Sequence, residues 1–336
     1  MSRVSRRSAL LLSVPALPAP FRVGGARAQA QPRPWRPTTQ VRIVVPAAPG
    51  GTTDIMARLC AQHLQSRWGV PVAAENRSGA GGTIGTLEAV RAAPDGLTLL
   101  SGNIGPQAIA YSLFRNLPYR EDQIAPVVGQ IRGPNVLVVN AASPVRTMAE
   151  FAAWLRREPG RVTYASTGVG QSTHLSPVWM LQLLDAQAIH VPFRGSAPAQ
   201  TELLANHVGF LVDNLTGVME QIRAGRLRAI AVTSAERSPG LPDVPSMRET
   251  LPELAGYEVN TWFGLFAPAR TPEPVVRAIN AEIGALLDSP DTERRFAELG
   301  GVPLRGSPEA FAAFVQAEIA KWRGVIRKEG LQLDAG

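Results

Sequence analysis

The most informative stretch of the chain is Val41-Arg-Ile-Val-Val-Pro-Ala-Ala-Pro-Gly-Gly-Thr-Thr-Asp54. Its first five residues are mostly apolar and β-branched, which is typical of a strand buried on both faces. Pro46 ends this strand, Gly50 and Gly51 let the backbone approach a ligand closely, and the residues that follow favour a helix start. Free N–H groups at such a helix start suit a carboxylate. The stretch therefore predicts either an anion site between a strand and a helix or a plain connection between them.

Beyond this stretch, short β-rich runs alternate with helical patterns along the whole chain. The chain has 336 residues, of which 45% are hydrophobic and 18% charged, so it is globular and long enough for two domains. Repeated strand and helix units predict an α/β fold with mainly parallel sheets flanked by helices. Strands are predicted at 41–45, 70–74, 97–101, 136–140, 162–166, 189–191, 208–212 and 227–232, and later helices at 83–91, 148–157, 175–184, 197–204, 274–287 and 308–328.

The first 30 residues have the layout of a secretory signal peptide. Arginines precede a short apolar stretch, and Ala-x-Ala cleavage sites end at Ala28 and Ala30. Arg6 and Arg7 match the twin-arginine export signal only in part, so that route and the general secretory route both stay open. No later apolar run is long enough to span a membrane. Residues 1–30 are therefore predicted to be a signal peptide that exports the protein to the periplasm.

Charge and cysteine content argue against a nucleic-acid-binding protein and against a fold held by disulfides. Residues 1–28 hold five of the 34 basic residues and none of the 27 acidic ones, so the rest of the chain has 29 against 27, a net charge of +2 instead of +7. No basic tract with interleaved aromatics remains, and no nucleic-acid partner is expected. Cys60 is the only cysteine, so no disulfide can form within the chain, and we expect Cys60 to be a small core residue.

Several predicted strands end in loops rich in glycine, hydroxyl and amide groups. The carboxyl ends of parallel strands lie at one edge of a sheet, so these loops should converge. They carry little fixed charge, which suits a small polar anion held by hydrogen bonds and helix ends. The loops are 46–54, 75–83, 101–105, 167–174 and 213–214.

Ordered motifs run from about residue 41 to residue 331, and they resemble those of one known family. They are Pro46-Ala-Ala-Pro-Gly-Gly-Thr-Thr-Asp54, Glu75-Asn-Arg-Ser-Gly-Ala-Gly-Gly82, Ala93-Pro-Asp-Gly-Leu-Thr-Leu99, Leu117-Pro-Tyr119, Thr167-Gly-Val-Gly-Gln-Ser-Thr-His-Leu175, His190-Val-Pro-Phe-Arg-Gly195, Asp213-Asn214, Trp262-Phe-Gly-Leu-Phe-Ala-Pro268 and the helix around Trp322. In these motifs the chain resembles the extracytoplasmic solute receptors of tripartite tricarboxylate transport systems, often called the Bug family.

The resemblance implies a two-lobed periplasmic binding protein fold of the Venus-flytrap kind, similar to type II. Each lobe would be a mainly parallel sheet flanked by helices, with the ligand closed between the lobes. The first lobe would comprise residues 38–134 and 259–336, and the second residues 135–258. The protein is expected to be a monomer.

The resemblance also implies which residues bind the ligand. The loop 46–52 would hold one carboxylate, and the loop 167–173 would contact the other end of the ligand. Gln171 stands where a small hydroxyl residue is more usual, so its amide would shorten the cavity or contact a polar group of the ligand. The candidate ligand-binding residues are Ala48, Gly50, Gly51, Thr52, Asn103, Thr167, Gly170, Gln171, Ser172, Thr173 and Asp213.

Asp213 is awkward beside an anionic ligand, because a buried carboxylate would repel it. Three roles stay open: Asp213 faces away from the ligand, binds an ammonium group, or orients the loops through backbone N–H groups.

An enzyme is the remote alternative, because Ser172, His174 and Asp213 could be drawn as a catalytic triad. The segment 170–174 lacks the second glycine of a G-x-S-x-G elbow, however, and a two-residue spacing does not by itself bring an imidazole onto a serine hydroxyl. The remaining histidines fall in no metal-ligand spacing. A serine hydrolase is therefore disfavoured, and neither a metal nor a cofactor is expected.

These observations predict a periplasmic receptor for a small organic carboxylate, which is not an enzyme. Its partner would be a membrane permease of the tripartite tricarboxylate type or a sensor kinase, and the choice between transport and sensing stays open. The alternative is a receptor of the same fold for an amino acid, an amide or a sugar. Sugar sites usually stack the ring on aromatic side chains, and only 6% of this chain is aromatic.

Overall fold

In the part of the chain that the structure describes, two β-sheets share one long strand and are covered by helices. The computed structural model describes residues 35–328 and 330–334, so the predicted signal peptide, 1–30, lies outside the described residues. The strands are β1 (Val41–Val45), β2 (Val72–Asn76), β3 (Thr98–Asn103), β4 (Ile124–Asn140), β5 (Thr163–Ser166), β6 (Ile189–Pro192), β7 (Phe210–Asn214), β8 (Leu227–Val232), β9 (Asn260–Pro268) and β10 (Val302–Pro303). The helices are α1 (Thr52–Trp68), α2 (Thr83–Val90), α3 (Ala110–Leu113), α4 (Met148–Arg157), α5 (Ser172–Leu183), α6 (Ser196–Leu204), α7 (Leu215–Arg223), α8 (Glu273–Leu287), α9 (Pro290–Glu298) and α10 (Pro308–Lys328).

The first sheet has the strand order β2-β1-β3-β9-β4, with β10 also pairing with β4. The second sheet continues from β4 through β7 and β5 to β6, with β8 also pairing with β4. The predicted α/β fold is confirmed. Parallel pairing holds for β1 with β2 and β3, and for β5 with β6 and β7. The strands β4 and β9 run antiparallel to their neighbours, so each sheet is mixed, where the sequence predicted mainly parallel sheets.

The strand β4 changes partners in its middle. From Ile124 to Pro134 it pairs with β9, and from Asn135 onward it pairs with β7 and β8. Proline has no N–H to donate to a ladder, which makes Pro134 a natural point for the change. The predicted division into lobes, with boundaries at 134/135 and 258/259, stays a prediction.

Among the described residues, the hydrophobic core forms three clusters. One lies between the first sheet, α1 and α8 and includes Ile43 and Ile279, and another lies beneath α6 and α7 in the second sheet. The largest cluster includes Leu100 from the first sheet, Leu137 from the second and Trp262 from β9. The apolar residues of α10 recur every three or four positions, as expected for a helix that buries one face; they are Phe311, Val315, Ile319, Trp322 and Ile326. Within the described residues, no helix combines the length and the apolar character needed to cross a membrane.

Candidate functional site

Four helix N-termini meet at a cavity of about 30 Å³. The helices α1, α5, α6 and α7 each follow directly from a strand, so the loops between strand and helix lie at the carboxyl ends of β1, β5, β6 and β7. Ligands in α/β proteins occupy this position. The lining residues are Pro46, Ala47, Gly51, Thr52, Thr53, Asn103, Thr167, Gln171, Ser172, Gly195, Ser196, Asn214, Thr261 and Phe263.

None of these four helices, all within the described residues, is capped by the side chain of its N-cap residue. The N-cap residues are Gly51, Gln171, Gly195 and Asn214. The first N–H groups of a helix have no partner inside the helix, and the helix dipole places partial positive charge there. A cavity that collects four such ends attracts an anion.

The cavity lining, which lies wholly in the described part of the chain, contains no charged side chain. An anion there would be held by backbone N–H groups, hydroxyls and amides. Neutral donors of this kind bind an anion through directed hydrogen bonds, so they specify its shape and orientation more than its total charge.

Two buried polar atoms at the cavity have no hydrogen-bond partner among the described residues. They are the hydroxyl oxygen of Thr52 and the side-chain oxygen of Asn214. Most buried polar atoms in folded proteins are paired, because an unpaired one costs free energy. A polar ligand in the cavity would supply partners for both.

The loop after β1 is held in place by Asp54. Its carboxylate accepts hydrogen bonds from Gly50 N–H at 3.0 Å, from Arg58 Nε at 2.9 Å and from Asn76 Nδ2 at 3.0 Å. Burial raises the pKa of Asp54, but the bonds from Arg58, Gly50 and Asn76 outweigh it and leave the pKa below its ordinary value. Gly50 has φ +89°, a left-handed conformation that favours glycine. The loop is therefore preorganised by a buried, ionised carboxylate.

The loop after β5 is held by its own hydroxyls and by a histidine. The hydroxyl of Thr173 accepts from Thr167 N–H at 3.0 Å and lies 2.8 Å from the Thr167 hydroxyl. Nδ1 of His174 accepts from Gly170 N–H at 3.3 Å. The His174 ring stacks on His190, with ring centroids 4.1 Å apart. Burial lowers the pKa of His174 to about 3, with His190 adding to the effect, and burial lowers the pKa of His190 to about 4.

Asp213 lies behind the cavity and not in it. It is fully buried, and its carboxylate accepts hydrogen bonds from the hydroxyl of Ser196, from Gln200 Nε2 at 3.0 Å and from Asn214 N–H at 2.8 Å. Burial raises its pKa, while these hydrogen bonds act in the opposite direction. Of the roles left open by the sequence, this arrangement fits the one in which Asp213 orients the loops around the cavity.

The predicted site residues thus fall into two groups. Gly51, Thr52, Asn103, Thr167, Gln171 and Ser172 line the cavity. Ala48, Gly50, Gly170, Thr173 and Asp213 are not lining residues but neighbour the lining in the chain or through hydrogen bonds; Ala48, for example, donates its N–H to Arg194 O at 2.9 Å. Direct contact with a ligand stays a prediction for both groups.

Other residues also line the cavity but were not predicted as site residues from the sequence. They are Pro46, Ala47, Thr53, Gly195, Ser196, Asn214, Thr261 and Phe263. Gly195 and Ser196 follow the strand β6, so the rule that found the other loops would have found them as well. Thr261 and Phe263 reach the cavity because β9 runs antiparallel through the first sheet. Residues two apart share one face of a strand, but nothing local shows which face meets the cavity.

The triad that could be drawn from Ser172, His174 and Asp213, and that the sequence spacing disfavours, does not form. The carboxylate of Asp213 is bonded to Ser196, Gln200 and Asn214, and Nδ1 of His174 to Gly170 N–H. Instead, His190 Nε2 lies 2.6 Å from the hydroxyl of Ser166, but Ser166 is fully buried and does not line the cavity. Within the described residues, no group of three or more His, Cys, Asp or Glu side chains is placed to hold a metal ion.

The fold and this cavity are those of the periplasmic solute-binding proteins. The model of the tripartite tricarboxylate transporter family receptor, TctC, matches residues 56–331, and the chain belongs to this family. The resemblance predicted from the motifs is confirmed, and this family is one of solute-binding receptors.

Known relatives cover nearly the whole chain. Protein BugT of Bordetella pertussis is 37% identical over 303 residues, which are 88% of this chain and 91% of BugT. The structure of R. palustris Rpa4515 with adipate has a TM-score of 0.85 and 34% identity, over 88% of this chain and 99% of Rpa4515. The structure of MatC from Rhodopseudomonas palustris with bound malate has a TM-score of 0.82 and 35% identity, over 86% of this chain and 99% of MatC.

Proposed function

We propose that this protein is a periplasmic receptor that binds a small organic carboxylate in the cavity at the four helix N-termini. One observation carries the proposal: an uncharged cavity gathers the uncapped ends of four helices and leaves the Thr52 hydroxyl without a partner in the described part of the chain. A carboxylate supplies acceptors for N–H and hydroxyl donors and the negative charge that helix ends favour.

In this proposal one carboxylate of the ligand is bound at the start of α1 and the other polar end at the start of α5. Gly51 and Thr52 would donate to the first, and Ser172 to the second. The structures of Rpa4515 with adipate and MatC with malate support a carboxylate ligand. No step of the proposal involves chemistry on the ligand, a metal or a cofactor.

Residues 38–134 with 259–336 and residues 135–258 would form two lobes that close over the ligand. The chain passes between the two sheets at Pro134 and near Val259, where β4 and β9 lie side by side. Rotation about these two crossings would open the cavity, and ligand binding would favour the closed state. A monomer would then present its closed form to a tripartite tricarboxylate permease or to a sensor kinase.

The test is thermal unfolding of the protein against a panel of ligands, after unfolding and refolding to remove carried-over ligand. The panel contains mono-, di- and tricarboxylates, amino acids and sugars. A ligand present at about 100 times its Kd and bound only to the folded state adds about 2.7 kcal/mol, which raises the Tm by several degrees. We expect that increase with one group of carboxylates.

An increase with amino acids or sugars and none with carboxylates would overturn the proposal and favour the alternative ligands. Hydrolysis of an ester panel that depends on Ser172 would contradict the expectation that the protein is no enzyme.

A further inference from the structure

Two loops that follow strands of different sheets touch each other directly. The segment 79–82 lies after β2 of the first sheet, and the segment 168–171 lies after β5 of the second sheet. Gln171 Nε2 donates a hydrogen bond to the carbonyl oxygen of Gly81 at 2.6 Å. The Gln171 side chain is buried, so this hydrogen bond is a buried link between the two segments.

Glycines allow the backbones of these two segments to touch. A Cβ atom at Gly81 would overlap the carbonyl oxygen of Val169, and a Cβ atom at Gly168 would lie 3.2 Å from Cα of Gly81. Gly81 also has φ +61°, a left-handed conformation that favours glycine. A side chain at position 81 would therefore force the two segments apart.

A second contact of the same kind joins the loops after β1 and β6. Ala48 N–H donates to Arg194 O at 2.9 Å, and a Cβ atom at Gly195 would lie 3.1 Å from Cβ of Ala48. The strand β1 belongs to the first sheet and β6 to the second. Gly195 and Gln171 both line the cavity, so each contact adjoins it. In the proposed function, both contacts join one lobe to the other.

We infer that Gly81 is a positioning residue for ligand binding: because it has no side chain, the two segments close onto each other, and their contact slows the departure of a bound ligand. This inference rests on the proposed function and its two lobes. Gly81 is not a lining residue, so it acts without touching the ligand. Rotation of one lobe against the other would break both contacts, so the contacts at Gly81 and at Ala48 should open together.

Gly81→Ala tests this inference, with Gly69→Ala as the matched control. Gly69 has φ +73°, so alanine meets similar backbone strain there, but its Cβ atom would have no neighbour within 4 Å among the described residues. Calorimetry and stopped-flow dissociation are measured with malate, adipate and citrate as probes. Gly81→Ala should lower affinity about tenfold or more, mainly through faster dissociation, whereas Gly69→Ala should stay within about twofold of the wild type. Equal affinities and dissociation rates in the two variants would overturn the inference.

Hydrogen exchange of the Ala48 amide tests closure without a ligand. Its acceptor is Arg194 O, so exchange requires that contact to open. In protein freed of ligand by unfolding and refolding, Gly81→Ala should speed exchange at Ala48 about tenfold or more, whereas Gly69→Ala should not. Exchange in α10 should be the same in all variants. Faster exchange around residue 81 alone would indicate a purely local role and overturn the inference.

Gln171→Leu gives a second test of closure that leaves the backbone of the glycine segment unchanged. It removes the hydrogen bond to Gly81, so it should also speed exchange at Ala48. Unchanged exchange at Ala48 in this variant would contradict the link between the two contacts. A wild type that binds none of the three carboxylates would count against the proposed function, and the exchange rates would still decide whether Gly81 controls closure.

Discussion

The hydroxyl of Ser196 donates a hydrogen bond to the buried carboxylate of Asp213, and Ser196 is the member of this pair that lines the cavity. A ligand would therefore meet a neutral hydroxyl, with the acidic group behind it. This arrangement allows an acidic residue to lie one layer behind a site for an anion, because its lone pairs are already used by Ser196, Gln200 and Asn214.

Substitution of Asp213 distinguishes a role in orienting the loops from direct contact with the ligand. Asp213→Asn should keep carboxylate affinity within a few-fold of the wild type and cost about 1 kcal/mol of stability, because an amide cannot accept from all three donors. Asp213→Ala should cost about 1–3 kcal/mol by removing the acceptor of the Ser196 hydroxyl and of the Asn214 N–H. Urea unfolding and calorimetry measure the two effects. If the carboxylate instead bound an ammonium group of the ligand, Asp213→Asn would abolish binding.

The unpaired hydroxyl of Thr52 should matter for the ligand and not for the fold. Thr52→Val has nearly the same shape without the hydroxyl, so we expect affinity to fall by about 1–2 kcal/mol while stability stays equal or rises. Thr271→Val is the control, because the Thr271 hydroxyl is also buried without a partner among the described residues but does not line the cavity. It should leave affinity unchanged. Equal affinities for the wild type and Thr52→Val would remove this hydroxyl from the binding site.

Asp54 should act on ligand binding through the loop that it holds. Asp54→Ala removes the acceptor for Gly50 N–H and Asn76, so affinity should fall about tenfold or more and stability by about 1–3 kcal/mol. Asp288→Ala is the control, since the Asp288 ion pair with Arg305 is exposed and such pairs contribute little. Calorimetry and urea unfolding of both variants measure the difference. Wild-type affinity in Asp54→Ala would show that ligand binding does not depend on the hydrogen bonds between Asp54 and this loop.

The stacked pair of His174 and His190 should make stability depend on pH. Their pKa values in the folded protein, about 3 and about 4, lie below the unfolded value of about 6.5. The unfolded chain therefore binds more protons between those values, so the stability contribution is complete above about pH 6.5 and is lost as the pH falls.

Urea unfolding from about pH 7.5 down to about pH 4.5 measures this loss. Over that range we expect His174 to lower the free energy of unfolding by about 2 kcal/mol. His190 should contribute less, because it is more exposed and water screens its charge. His174→Asn keeps an acceptor for Gly170 N–H and should flatten the dependence. If stability fell just as steeply with pH in His174→Asn, the loss would come from other titrating groups.

Elements with a clear apolar pattern could be predicted from the sequence. The bounds of β1, β8, α4 and α10 agree with the prediction, because each has a clear apolar run or apolar period and a clear start or end signal. The helix α4, for example, begins with a capping box in which Thr147 and Glu150 bond each other's backbone N–H groups.

Other elements were missed for identifiable reasons. The strand β4 begins at Ile124, but the prediction began at Val136. The first part was missed because Pro126, Gly129 and Pro134 are residues that usually interrupt a strand. In the structure the ladder between β4 and β9 is irregular at the first two positions, with register shifts between Pro126 and Val128 and between Gly129 and Ile131. The helices α7 and α9 and the π-helical segment Gly105–Ile109 were also not predicted.

The α/β class, the family and most of the loops around the candidate cavity could be predicted from the sequence, because strand ends, helix starts and glycine turns are signals between neighbouring residues. Three features are visible only in the folded chain: which side chains of those loops line the cavity, the position of Asp213 behind Ser196, and the hydrogen bond from Gln171 to Gly81. These relations join residues far apart in the chain, and they depend on how two sheets pack around β4 and β9, which no local pattern specifies.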